Sequence, residues 1–126
     1  MKYSVDKHEK YSLVSLDEDK VDSEIAPDIK SKFITWHAEG LKNMILDISG
    51  VKYMDSSGLS TLLIANRLCN DEAGMFVLVG AEDHVMKLIK ISQLDKVLNI
   101  LPTVEEGIDA VFMNELENDL RGGKDQ

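Results

Sequence analysis

The sequence predicts an α/β domain whose sheet is mixed but mostly parallel, with four to five strands and about four helices. Two short apolar runs, Met44 to Ile48 and Met75 to Val79, lack the alternation of a half-exposed strand and read as strands buried on both faces. Segments of helical period lie between and after them, the arrangement that calls for right-handed crossovers in a parallel sheet. At 126 residues the chain is large enough for one hydrophobic core without disulfide or metal staples.

In order, Tyr3 to Lys10 and Tyr11 to Leu16 carry Tyr, Val and Leu in rough alternation and read as two strands paired in a hairpin. Asp22-Ser23 then precede Ile25, Ile29, Phe33 and Trp36 at near-helical spacing, with Pro27 in the first turn and Gly40 at the close. That spacing assigns Phe33 and Trp36 to the core. Met44 to Ile48, interrupted only by Asp47, is the next strand, and Ser56 to Asn70 a helix through Leu59, Leu62, Leu63 and Leu68. Met75 to Val79, apolar throughout, is expected at the centre of the sheet. Asp83 is expected to cap a helix bearing Val85, Leu88 and Ile89, before a last strand at Val97 to Leu101. Thr103 opens a final helix carrying Val104, Ile108, Val111, Phe112 and Leu116. Residues 1–120 thus form a single domain, and 121–126, Arg-Gly-Gly-Lys-Asp-Gln, a polar and disordered tail.

Charge narrows the partners. With 14 basic and 23 acidic residues the net charge is −9, unsuited to nucleic acid or an anionic membrane surface and better matched to a protein. No apolar run approaches the roughly 18 residues of a membrane span, and Met1-Lys2-Tyr3 opens no signal peptide, so the chain reads as cytoplasmic. The single cysteine, Cys69, lies among Leu62, Ala65 and Leu68 and reads as a small core residue.

Catalytic constellations are missing from the pattern. An EF-hand loop beginning at Asp17 would need an oxygen ligand, a Gly and a Glu where Val21, Asp22 and Asp28 stand, so Asp17, Glu18, Asp19 and Asp22 read as a solvated turn and not a metal site. His8, His37 and His84 are far apart and lack zinc-type neighbours. There is no nucleophile elbow, phosphate-binding loop or dinucleotide fingerprint, so neither a catalytic residue nor a cofactor is assigned. A phosphoacceptor receiver domain would place its carboxylate at Asp47, but the run Val97 to Leu101 before Pro102 carries no Lys and the chain starts with a hairpin.

The most informative stretch is Tyr53-Met54-Asp55-Ser56-Ser57-Gly58-Leu59, where a buried strand gives way to a helix. Asp55 can act as the N-cap, accepting the N–H of Ser57 or Gly58. The Ser57 hydroxyl then lies near the first turn, with Gly58 leaving room for a partner. A serine there can also accept a phosphoryl group, adding a charge of about −1.5 to −2.

From Asn43 to Leu59 the sequence resembles the STAS domain family of bacterial anti-sigma factor antagonists. An apolar strand is followed by the turn Asp47-Ile48-Ser49-Gly50-Val51 and the helix start Asp55-Ser56-Ser57-Gly58-Leu59. Val21-Asp22-Ser23-Glu24-Ile25-Ala26-Pro27 is similar to that family's loop into the first helix, and the likeness covers roughly residues 5 to 115. The resemblance implies the STAS fold and a phosphorylation-switched binding module that is not itself an enzyme. Unphosphorylated, it would bind an anti-sigma factor that is also a serine kinase of the GHKL type, and so release a sigma factor. Ser57 would be the phosphoacceptor, restored by a serine phosphatase, on a surface formed with Asp22, Asp55, Ser56 and Gly58. The same family includes scaffold subunits of stressosomes and of lipid-transport ATPase complexes, which are the alternative. A monomer or weak dimer is expected. Asp19 stands where the family usually has Gly, and Lys20 replaces a common acidic residue, which bears on the local turn.

Overall fold

A computed structural model describes residues 1–125. In chain order the elements are β1 (Tyr3–Lys7), β2 (Ser12–Leu16), β3 (Lys20–Val21), α1 (Ala26–Ala38), β4 (Met44–Asp47), β5 (Tyr53–Met54), α2 (Ser56–Asp71), β6 (Phe76–Val79), α3 (Asp83–Ile91), a 3₁₀ turn at Leu94–Lys96, β7 (Asn99–Leu101) and α4 (Val104–Asp125). Strands β1-β2-β4-β6-β7 form one five-stranded sheet in that spatial order, and β3 and β5 form a separate two-stranded ladder. The β1/β2 pair is antiparallel and the other pairs are parallel, with Val14 beside Leu46, Leu46 beside Leu78 and Leu78 beside Ile100.

Each parallel strand is added on the same side of the one before. Right-handed crossovers that always step in one direction put their helices on one face. Accordingly α1, α2 and α3 share a layer, where Phe33, Leu62 and Ile89 pack with Val14, Leu46 and Leu78. The last helix covers the other face: Val104, Ile108 and Val111 of α4 meet Ile45, Val77 and Val79. Gly107 brings α4 close, since a Cβ there would lie 3.3 Å from both Ile45 Cγ2 and Val79 Cγ1. Covered on both faces, β6 is buried at every position, whereas β2 alternates, with Val14 and Leu16 buried and Leu13 and Ser15 half-buried. The strand order lacks the reversal of the receiver fold, and Asp47 Oδ1 is occupied by the Ser49 N–H at 2.9 Å.

Several boundaries differ from the sequence reading for local reasons. The hairpin turn is longer, closed by the His8 N–H on the Tyr11 carbonyl at 2.8 Å. The Asp22 carboxylate accepts the Glu24 N–H at 3.0 Å and the Asp22 carbonyl the Ala26 N–H at 2.9 Å, so α1 starts only at Ala26, with Pro27 in its first turn. Phe33 is buried, but Trp36 is half-buried between Tyr3 and Phe33, at ring distances of 5.7 and 6.0 Å. The centre of the sheet is β4; β6 is interior but one place off centre. Asp83 is the first residue of α3 and not its cap, which is Glu82 without a side-chain bond.

The 3₁₀ turn consumes the chain ahead of β7, leaving Val97 and Leu98 outside the strand. Thr103 does cap α4, its Oγ1 accepting the Glu106 N–H at 3.2 Å. Of the apolar residues that the final helix carries, Val111 is buried, while Phe112 and Leu116 are 47% and 53% exposed. Helix α4 runs on to Asp125, so residues 121–125 are helical where a disordered tail was expected, and Gln126 lies outside the described residues. No helix among the described residues is long and apolar enough to cross a membrane.

Cys69 is buried in α2 as expected, and burial pushes its thiol up to about 12. The folded pKa lies above the unfolded value, so the neutral thiol's contribution is complete below about pH 8.5 and is lost as pH rises toward 12. A thiol-disulfide dye at pH 8 is therefore expected to label Cys69 only at the rate of unfolding. Cys69→Ala should flatten the fall in stability above pH 9.

Candidate functional site

Sequence reasoning did not anticipate the element that assembles the site, the β3/β5 ladder. Lys20 lies beside Tyr53 and Val21 beside Met54, in parallel. The Asp19 carbonyl accepts the N–H groups of Lys52 and Tyr53 at 2.8 and 3.0 Å, and the Val21 carbonyl accepts that of Asp55 at 3.4 Å. Alternation follows from strand geometry: Val21 and Met54 point into the core, while Lys20 and Tyr53 face water. Because the strands run the same way and in register, the next residues, Asp22 and Asp55, leave the ladder side by side. Asp19 does not need the freedom of Gly: the only non-glycine residues with positive φ among the described residues are Ala73 and Gln93.

Helix α2 begins as the sequence predicts. Asp55 is the N-cap in extended conformation; its Oδ1 accepts the Gly58 N–H at 3.0 Å and its carbonyl accepts the Leu59 N–H at 2.9 Å. Ser56 and Ser57 occupy the first two helical positions, so neither N–H has a carbonyl of its own helix to bond. Ser56 is exposed and Ser57 half-buried. One turn on, Ser60 Oγ donates to the Ser57 carbonyl at 2.7 Å and Thr61 Oγ1 to the Gly58 carbonyl at 2.6 Å, holding the backbone of this turn on both sides. Replacing Asp55 with Ala removes the cap and should lower stability by about 1 kcal/mol, readable as a shift of the urea midpoint without change of slope.

Gly58 plays a different part from the one the motif implies. It is buried, and a Cβ there would fall on the Val21 carbonyl oxygen and 2.5 Å from Met54 Cγ. Its missing side chain seats α2 against the ladder and opens no space to a partner. Met54, which sequence alone leaves as either core or contact, is core.

The structure therefore brings Asp22, Asp55, Ser56 and Ser57 to one surface and places Gly58 beneath it. Beside Asp22 runs an open groove of about 560 Å³ edged by the carboxylates of Asp17, Glu18, Asp19 and Glu24 together with Lys2 and Lys20. This makes the surface beside Asp22 mainly acidic. Sequence reasoning missed Tyr53, a ring 44% exposed directly opposite Lys20, though strand alternation from buried Met54 marks it as outward-facing. His8 pairs with Asp6 at 2.9 Å, and His37 lies 3.8 Å from Glu72.

The sequence profile of the STAS domain matches residues 2–107. A candidate anti-sigma factor antagonist of Thermotoga neapolitana, the TM1081 homologue, is 26% identical over 73 residues, covering 58% of this chain and 65% of that protein. The chain thus spans just under two thirds of the length of that relative. The crystal structure of an anti-sigma factor antagonist from Mycobacterium paratuberculosis superimposes with a TM-score of 0.77 at 25% identity, covering 87% of this chain and 92% of that one. The phosphorylated form of SpoIIAA from Bacillus shares the fold, with a TM-score of 0.67 at 23% identity over 87% of this chain and 99% of that one. With the profile matched across the sheet, the β3/β5 ladder and the capped serine helix alike, this chain belongs to the STAS domain family.

Proposed function

We propose that this protein is an anti-sigma factor antagonist whose binding surface is switched by phosphorylation of Ser57. The reading rests on one observation: the β3/β5 ladder sets Asp22 beside a capped helix start whose second residue is Ser57. Unmodified, this surface docks an anti-sigma factor that is also a serine kinase of the GHKL type, and so frees a sigma factor. The Ser57 hydroxyl receives the phosphoryl group from that kinase and loses it to a serine phosphatase. Asp22, Asp55 and Ser56 shape the contact, and Gly58 sets its foundation. Ser57 is the substrate of another enzyme, and the domain supplies recognition.

The test is to incubate the protein with each GHKL-type serine kinase of the same genome and map phosphate by mass spectrometry. Modification confined to Ser57, abolished in Ser57→Ala, supports the switch. Absence of any kinase acting on Ser57, together with stable co-purification of a transport ATPase or of other STAS proteins in a large assembly, replaces it with the scaffold reading.

A further inference from the structure

The outer side of the β3/β5 ladder is a small platform of four side chains. Lys20 and Tyr53 lie opposite each other, and Asp22 and Asp55 follow them, two residues on, on the same side of the paired strands. The corners are about 4.8 Å apart across the ladder and about 6.6 Å apart along it. They differ in what each has left to offer a partner. The Asp22 carboxylate accepts the Glu24 N–H at 3.0 Å and the Asp55 carboxylate the Gly58 N–H at 3.0 Å, so each is tied to the turn that follows it. Lys20 is exposed and enters none of the ion pairs among the described residues. Holding so long and hydrated a side chain in one geometry offsets most of what a surface ion pair gains.

Tyr53 is the apolar corner. Of the large apolar side chains exposed among the described residues, it is the one that belongs to the ladder. More than half of its surface is already covered by its own domain, so the ring is held before any partner arrives. An anchor held in this way gives up little conformational freedom on binding. Tyr also concentrates energy at interfaces, because a rigid ring brings a large contact area with two rotatable bonds.

The position of the ring sets what it meets. Ser57 is four residues on from Tyr53, at most about 14 Å of chain. A standard interface covers about 800 Å² of each partner, roughly 30 Å across. A kinase that brings Ser57 into its active site therefore covers Tyr53 as well. We infer that Tyr53 is the anchor of the surface that docks the Ser57 kinase, its ring seated in an apolar pocket of that partner and rimmed by Asp22, Asp55 and Lys20. The inference rests on Ser57 being the phosphoacceptor, and it adds the residue that holds the kinase in place.

The test uses the kinase that modifies Ser57 of the parent protein and compares Tyr53→Thr and Tyr53→Phe as its substrates. Thr keeps the strand preference of the position and removes the ring. Tyr53→Thr should raise KM at least about tenfold with kcat within about twofold of the parent, the signature of a contact made equally in ground and transition states. Tyr53→Phe should stay within about threefold of the parental KM, and both variants should melt within about 3 °C of the parent. Ile91→Ala removes the most exposed of the large apolar side chains among the described residues and should leave KM unchanged. Tyr53→Thr with parental KM overturns the anchor and leaves Ser57 as the phosphoacceptor. So does an equal loss in Tyr53→Phe, which moves the contact from the ring to its hydroxyl, or a loss that comes with a fall in melting temperature, which assigns Tyr53 to the fold. A parent protein that no kinase modifies at Ser57 overturns the proposed function, and the anchor falls with it.

Discussion

Phosphorylation of Ser57 is expected to weaken the complex with the anti-sigma factor about a thousandfold while leaving the free protein folded and its melting temperature nearly unchanged. In the free protein the added charge of about −1.5 to −2 meets opposing influences. The start of α2, with the unbonded N–H groups of its first residues, favours an anion there by about 0.3 to 1 kcal/mol. The Asp55 carboxylate, Asp22 across the ladder and the net charge of −9 work against it. Half-buried Ser57 can present a phosphate to water, so these effects nearly cancel. In the complex, water is excluded and the surface around the serine is already acidic. An unpaired charge taken into such an interface costs on the order of 4 kcal/mol, which is the thousandfold. Calorimetric titration of the unmodified protein, the phosphoprotein, Ser57→Ala and Ser57→Asp should rank the first and third together as tight and the other two as weak. Equal or tighter binding by the phosphoprotein would reverse the sign of the switch.

The second large effect is on the fold. Gly58→Ala should destabilise the protein by about 3 kcal/mol and lower its melting temperature by roughly 10 °C, because the new methyl group falls on the Val21 carbonyl oxygen and against Met54. Neither neighbour yields freely. Val21 is backbone-paired in β3 and buried by its side chain, and Met54 is held in β5 beneath α2. Relief requires α2 to move off the ladder, which also separates Asp22 from Asp55, so partner binding and stability fall together. Hydrogen exchange should accelerate first at Lys52, Tyr53 and Asp55, whose N–H groups hold the two segments together. A Gly58→Ala protein that melts with the parent would show that the ladder is pliable and that Gly58 has no structural part.

How far these features can be read from sequence depends on the length over which a pattern repeats. Strands β4 and β6 and helices α1 and α2 were legible because each carries several buried residues in a row or at helical spacing. The Asp55 cap was legible because a carboxylate before Ser-Ser-Gly at the start of such a pattern has a specific physical use. The β3/β5 ladder was not, since two-residue strands have no period and their pairing joins segments distant in the chain. Its absence from the reading is why Gly58 was assigned to the surface and Tyr53 passed over. Phe112 and Leu116 show another limit: helical spacing places apolar residues on a helix but does not say how far along it the sheet covers them. Asp83 marks a third limit. Acidic residues favour both the cap and the first turn of a helix, and sequence does not separate adjacent positions.

During synthesis, each new strand of this sheet leaves the ribosome beside a neighbour already made. The order β1-β2-β4-β6-β7 follows the chain, so no gap must be held open for a strand still to come. Growth from one edge lets the nascent sheet bury surface stepwise and leaves unpaired only the outer edge of β1 and the advancing edge. The segment bearing Ser57 emerges after β2 and β4, when the layer beneath it has a floor, and α4 closes the second face last. A chain arrested just after α2 should already protect β2 and β4 from protease, whereas in a fold with strand order reversed midway the same length would leave its central strand waiting for a partner.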